Sequence, residues 1–224
     1  LHLPTSCIGS RLLNRFLDLF KSYCHIASKP DGKVYMNSLW QMWEAELSEE
    51  EVKKIITECE LYDPQIAKVG NDSSDSKDSI RRSTVRWVNA YDQDSKFIYD
   101  LIWRYANIAN RAAFGFEISQ LHDVQYTIYE AENEGFYDWH FDTFWGNQST
   151  YDRKLSVTIQ LSDSQDYEGG DFKIDPQYEQ PNTDKLRQKG TIFVFPSFLR
   201  HMVEPVSNGT RRSLVAWVEG PKFR

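Results

Sequence analysis

Leu155-Ser156-Val157-Thr158-Ile159-Gln160-Leu161 is strand-sized and rich in β-branched side chains, so it is read as a strand. Four runs of the same texture surround it: Val124 to Tyr129 before, and Phe172 to Ile174, Thr191 to Phe195 and Ser213 to Val218 after. Turn dipeptides punctuate the series at Gly169-Gly170, Asp175-Pro176, Pro181-Asn182, Lys189-Gly190 and Asn208-Gly209. Short strands in close succession predict a sandwich or jelly roll, and no internal repeat or heptad competes with that reading.

Upstream the period changes. Leu12, Leu13, Phe16, Leu17 and Phe20 recur at helical spacing after Ser10, and Ser48 with Glu51 forms a capping box ahead of Val52, Ile55 and Ile56. Gly70 to Ser79 is too polar to repay ordering and is expected to be a mobile loop, a lid candidate. A strand is expected over Thr84 to Asn89, and the longest helix over Phe97, Ile98, Leu101, Ile102, Tyr105 and Ile108. The expected class is mainly β with packed helices.

The net charge of -7 disfavours a surface built to grip phosphate backbones, and no apolar stretch is long enough to span a bilayer. Neither nucleic acid nor membrane is therefore expected as a partner, and a cytoplasmic location fits best. Cys7, Cys24 and Cys59 are odd in number and widely spaced, which indicates buried thiols rather than disulfides or a zinc site.

The chemistry centres on His140-Phe141-Asp142. Strand period places His140 and Asp142 on one face, and with the distant His201 they have the composition of a facial triad, which leaves open positions on iron for a bidentate cosubstrate and dioxygen. Downstream, Arg211, Ser213, Val215 and Trp217 share a strand face. A buried dicarboxylate needs a permanent planar cation, and Arg211 with the Ser213 hydroxyl supplies it. A two-residue hairpin at Asn208-Gly209 would send Arg211 to the face opposite His201, so the chain is expected to turn a corner there between two sheets.

With those residues placed, further blocks come into view: Tyr129-Glu130-Ala131, Phe136 to Asp142, Lys154 to Ser162, Tyr167 to Asp171, Gly190 to Ser197, Pro205-Val206 and Gly209 to Trp217. Together they resemble the prolyl 4-hydroxylase branch of the Fe(II)/2-oxoglutarate-dependent dioxygenases, and more closely the PKHD-type hydroxylases of bacteria and phage. The resemblance implies a double-stranded β-helix, iron on His140, Asp142 and His201, and 2-oxoglutarate on Arg211 and Ser213 with Tyr129 reaching it. It also implies dioxygen as co-reactant and ascorbate as an accessory reductant. Arg81 to Trp87 resembles the segment beside the mobile substrate loop of prolyl 4-hydroxylases, making Arg81 a substrate contact alongside Trp217, with Trp87, Trp139 and Trp145 as further candidate walls. The expected organisation is a helical extension over 1–68 packed on a continuous oxygenase domain over 69–224.

The resemblance implies hydroxylation of an unactivated C–H bond with release of succinate and CO2, the favoured substrate being a prolyl residue in a peptide or protein. The alternatives are a free amino acid or small metabolite and, in another class, a non-catalytic metal-binding jelly-roll module. Asp142 argues against halogenation. Val215, Ala216 and Trp217 stand where nucleic-acid demethylases of this superfamily carry a second arginine.

Overall fold

The protein is described from a computed structural model covering residues 34–36, 39–67, 80–89, 92–146 and 148–223. The helix expected over Leu12 to Phe20, the loop over Gly70 to Ser79, and Cys7 and Cys24 fall outside these residues. In chain order the strands are β1 (Val34–Met36), β2 (Gln41–Trp43), β3 (Gln65–Ile66), β4 (Arg81–Arg82), β5 (Thr84–Val88), β6 (Gln120–Glu130) and β7 (Phe136–His140). They continue with β8 (Tyr151–Gln160), β9 (Tyr167–Gly169), β10 (Phe172–Ile174), β11 (Ile192–Pro196), β12 (His201–Val203) and β13 (Val206–Pro221). The helices are α1 (Glu49–Cys59), α2 (Lys96–Ala109) and the single turn α3 (Thr183–Leu186).

The strands form two sheets. A large one runs β1-β2-β11-β8-β13-β6-β5-β3, with β9 attached to β13, and a four-stranded one runs β10-β12-β7-β4. Period-2 alternation decides what each face of the large sheet does. Leu214, Ala216 and Val218 of β13, Val124 and Tyr126 of β6, and Ile192 and Val194 of β11 join a core completed by Val52, Ile55 and Cys59 of α1 and Ile98, Ile102, Tyr105 and Ala106 of α2. The intervening Phe193, Phe195 and Tyr129 pack with Phe172, Ile174 and Val203 of the small sheet. The result is the jelly roll expected from the strand runs, with helices on its outer side.

Local signals behave as the sequence predicts. Ser48 Oγ accepts from the Glu51 N–H and Glu51 Oε2 accepts from the Ser48 N–H, a closed capping box at α1 worth about 1 kcal/mol. α2 buries Ile98, Ile102, Tyr105, Ala106 and Ala109 on one stripe, then widens into a π-helical turn over Asn110–Phe114 that stops at Gly115, φ 67°.

Two expectations are changed. Over 39–67 the chain is not solely helical: β2 and β3 flank α1 and both belong to the large sheet, and the compact unit runs from Lys33 to Arg224 rather than beginning at residue 69. β2 pairs with β11 through Ile192↔Trp43, Phe193↔Met42 and Val194↔Gln41, covering an edge that an all-helical extension would have left unpaired. The crossing between sheets is also present but lies earlier, at Glu204-Pro205 between β12 and β13. Asn208-Gly209 is instead inside β13, pairing with Glu168 and Tyr167 of β9 after a bulge. Gly209 takes φ 71°, and a Cβ there would sit 2.0 Å from the Asp166 carbonyl oxygen.

Candidate active site

β7 and β12 are antiparallel neighbours in the small sheet, and their register sets His140 directly opposite His201. Each imidazole is fixed by its own strand. His140 Nδ1 lies 2.7 Å from the Asp138 carbonyl oxygen and His201 Nδ1 lies 2.8 Å from that of Leu199. A carbonyl only accepts, so both Nδ1 atoms carry the proton and both Nε2 atoms present a lone pair. Those atoms converge on Asp142: His140 Nε2 is 3.6 Å from Oδ1 and His201 Nε2 is 3.4 Å from Oδ2. One ligand atom from each residue lies within 4.8 Å of the others. Two neutral imidazoles and one carboxylate suit a divalent cation such as iron.

Asp142 is held from both sides. Its N–H donates to the Ser197 carbonyl at 2.9 Å, and its Oδ2 accepts from Ser156 Oγ at 2.6 Å, while Ser156 Oγ lies 3.0 Å from Ser197 Oγ. Burial raises the Asp142 pKa, but His201, His140, the Ser156 hydrogen bond and Arg153 outweigh it and hold the carboxyl below its usual range. Burial, followed by the neighbouring His201, pushes the His140 pKa down to about 3. A neutral imidazole beside an ionised carboxylate is the protonation state that metal binding requires.

The large sheet supplies the opposite wall. Arg211, Ser213, Val215 and Trp217 of β13 all line the pocket that contains His140, Asp142 and His201, as the alternation of the strand requires. Arg211 faces Tyr129 across the β13–β6 register, with its guanidinium 5.6 Å from the ring centre. It is buried, and among the described residues no carboxylate lies within ion-pair distance. Gly170, φ 64°, backs it: a Cβ there would approach Arg211 Cδ to 3.2 Å. Arg81 is buried in β4, donating to Ser83 Oγ at 2.9 Å and Gln125 Oε1 at 2.7 Å.

Of the four tryptophans considered as walls, Trp217 alone lines the pocket. Trp87 stands behind it, ring centres 6.3 Å apart; Trp139 lies under Arg200, and the exposed Trp145 packs on Phe223. Reading the sequence for function missed Ser156, Ser197, Tyr137, Gln125 and Arg153. Ser156 was findable, because it precedes the pocket-lining Thr158 by one strand period. Tyr137 stacks on His140 with ring centres 3.4 Å apart, and burial pushes its hydroxyl up to about 12. Arg153 was not findable. A register shift takes the β13–β8 pairing from Val218↔Leu155 to Glu219↔Arg153, skipping Lys154 and bringing Arg153 round to the Trp217 face.

Residues 124–219, the stretch carrying this geometry, match the model of the 2OG-Fe(II) oxygenase superfamily. The chain contains a 2OG-Fe(II) oxygenase domain. Relatives of this domain include a PKHD-type hydroxylase of Synechococcus sp., 38% identical over 95 residues (42% of this chain, 41% of the relative), and one of Prochlorococcus marinus, 35% identical over 101 residues (45% and 42%). The matches thus span about two fifths of the length of these curated relatives. Among solved structures, a prolyl-4-hydroxylase from Pseudomonas putida superposes with a TM-score of 0.62 at 18% identity, covering 82% of this chain and 93% of that one. A prolyl hydroxylase from Trichoplax adhaerens, in complex with a hypoxia inducible factor peptide, gives 0.64 at 14% identity, covering 96% and 94%. At these identities the structural likeness carries the oxygenase fold alone. No helix among the described residues is long and apolar enough to cross a membrane.

Proposed function

We propose that this protein is an Fe(II)- and 2-oxoglutarate-dependent dioxygenase that hydroxylates an unactivated C–H bond, with His140, Asp142 and His201 holding the iron. The observation that carries the reading is the pinning of both Nδ1 atoms to backbone carbonyls, which aims two Nε2 lone pairs at the Asp142 carboxylate across from a buried arginine. When bound, iron with 2-oxoglutarate and dioxygen would supply the oxidising power for hydroxylation, releasing succinate and CO2.

The chain's own residues bind, orient and shield. Arg211 offers a permanent charge and planar donors to the distal carboxylate of 2-oxoglutarate, with Ser213 and Tyr129 adding hydroxyls on the same wall. Phe172, Phe195, Val203 and Val215 line the remainder and keep water from the reacting groups. Arg81 and Trp217 line the same pocket, and we assign them to substrate contact. A prolyl residue in a peptide or protein is the favoured substrate, supported by the fold shared with prolyl hydroxylases.

The test is substrate-independent turnover. Purified protein with Fe(II), 2-oxoglutarate and air is expected to form succinate, and Asp142→Ala to form none. Iron and 2-oxoglutarate binding without succinate under any condition, even with candidate substrates, would instead point to a binding module.

A further inference from the structure

We propose that Arg187 is a positioning residue for cosubstrate binding, acting through the Gly169-Gly170-Asp171 link that backs Arg211. This rests on the reading of Arg211 as the receiver of the distal 2-oxoglutarate carboxylate, and it gives a role to a side chain outside the iron pocket.

Arg187 follows the single turn α3. Asn182 Oδ1 caps the start of that turn by accepting from the Lys185 N–H at 3.0 Å, and the Arg187 N–H closes its end by donating to the Thr183 carbonyl at 2.9 Å. From this fixed base the guanidinium reaches one segment of chain. Nη1 donates to the Gly169 carbonyl oxygen and to Asp171 Oδ1, each at 2.6 Å, and Nη2 donates to the Tyr167 carbonyl oxygen at 2.9 Å. Cζ also lies 4.1 Å from the centre of the Tyr167 ring. One cation thus bonds on both sides of Gly170, while the Gly170 N–H is tied separately to the Pro205 carbonyl at 3.0 Å.

The segment so held is a short bridge between the sheets. β9 is three residues long, pairs with β13 through a bulge, and hands over within two residues to β10 at the edge of the small sheet. A bridge of that kind carries few ladder hydrogen bonds, and charge-assisted bonds from a permanent planar cation are among the strongest that can fix it.

Gly170 is where this clamp meets the cosubstrate wall. A Cβ there would stand 2.8 Å from Val206 Cγ2, 3.2 Å from Arg211 Cδ and 3.4 Å from Tyr167 Cε2, so the bare backbone packs closely on the stem of the arginine. Arg187 and Arg211 line one small cavity together with Tyr167 and Gln160. The Tyr167 hydroxyl accepts from Gln160 Nε2 at 3.0 Å, and Gln160 is the cross-strand partner of Ser213. Arg187 therefore reaches the wall by two routes, through Gly170 to Arg211 and through Tyr167 and Gln160 to Ser213. A guanidinium on a flexible stem presents its fork in one geometry only when the groups behind it are themselves held.

The test uses the whole chain loaded with Mn(II), so that nothing turns over, and calorimetry with two ligands. 2-Oxoglutarate carries a distal carboxylate for Arg211, whereas oxalate offers the metal-chelating end alone. Arg187→Gln is expected to weaken 2-oxoglutarate by about fivefold or more and to change oxalate and Mn(II) affinity by less than about twofold, with Arg187→Lys recovering part of the loss. In an Arg211→Lys background the same Arg187→Gln change is expected to cost less than about twofold, because the group it positions is already gone. A clamp that merely stabilises the fold would lower the thermal midpoint and leave the affinity of the folded protein for 2-oxoglutarate as it was. That result, equal weakening of both ligands, or a loss that persists in full beside Arg211→Lys overturns the inference. Should Arg187→Gln fail to fold, Arg187→Lys carries the comparison: weakening confined to 2-oxoglutarate supports the inference, and wild-type affinity overturns it. A wild-type protein that binds oxalate but not 2-oxoglutarate, or an Arg211→Lys variant that binds 2-oxoglutarate as wild type does, removes the cosubstrate reading and the inference with it.

Discussion

Ser156 Oγ donates a 2.6 Å hydrogen bond to the Asp142 oxygen that faces His201. The hydroxyl fixes the rotamer of a carboxylate that would otherwise swing. Removing such an outer partner of a metal ligand typically costs 10–100-fold in affinity. Ser156→Ala is therefore expected to weaken Mn(II) binding by about that factor with little change in thermal midpoint, and titration calorimetry checks it. Unchanged affinity would mean the backbone bond to Ser197 suffices.

Arg211→Lys keeps the charge and loses the planar fork. A hydrogen bond to a charged group contributes about 1.5–3 kcal/mol, so the affinity for 2-oxoglutarate is expected to fall on the order of 10- to 100-fold while Mn(II) binding stays. Calorimetry on the metal-loaded protein separates the two.

Gly170→Ala tests the backing of the same arginine. The residue has φ 64°, and its new methyl would press on Val206 at 2.8 Å and Arg211 Cδ at 3.2 Å. The expected outcome is a loss of about 1 kcal/mol or more in stability together with weaker 2-oxoglutarate binding. Denaturant melts and cosubstrate titration report the two effects.

In the metal-free protein, folding depresses the His140 pKa from 6.5 to about 3, so the unfolded chain binds the proton more readily. The stabilising contribution of the neutral ring is complete above pH 6.5 and is lost as pH falls toward 3. The thermal midpoint of chelator-treated protein is expected to drop progressively below pH 6.5, and to drop less in His140→Asn. A flat profile between pH 7 and pH 4.5 would contradict this.

Cys59 is fully buried on α1 and burial pushes its thiol up to about 12. The native protein is expected to resist alkylation at Cys59 at pH 8 and to react promptly once denatured, as peptide mapping by mass spectrometry would show.

Legibility followed periodicity. The strand runs, the capping box at Ser48 and Glu51, the long helix of Ile98 and Ile102, and the common face of Arg211, Ser213, Val215 and Trp217 depend on local spacing, and each is present. Arg153 required knowing that β8 skips Lys154 against β13, a long-range register that local pattern does not encode. The position of the sheet crossing was displaced for the same reason. Glu204-Pro205 carries it because Asn208 and Gly209 are occupied by β9, whose pairing partner no dipeptide rule reveals.

β13 lies between β8 and β6, two strands that touch in the large sheet only through it. A nascent chain that has emerged only as far as Val203 therefore holds two half-sheets with open edges, and its three candidate iron ligands lack the wall bearing Arg211. Truncation just before Val206 should expose both edges to other chains and favour clumping over partial activity. Cosubstrate capture thus becomes possible only once β13 has been made and this single segment zips the halves together.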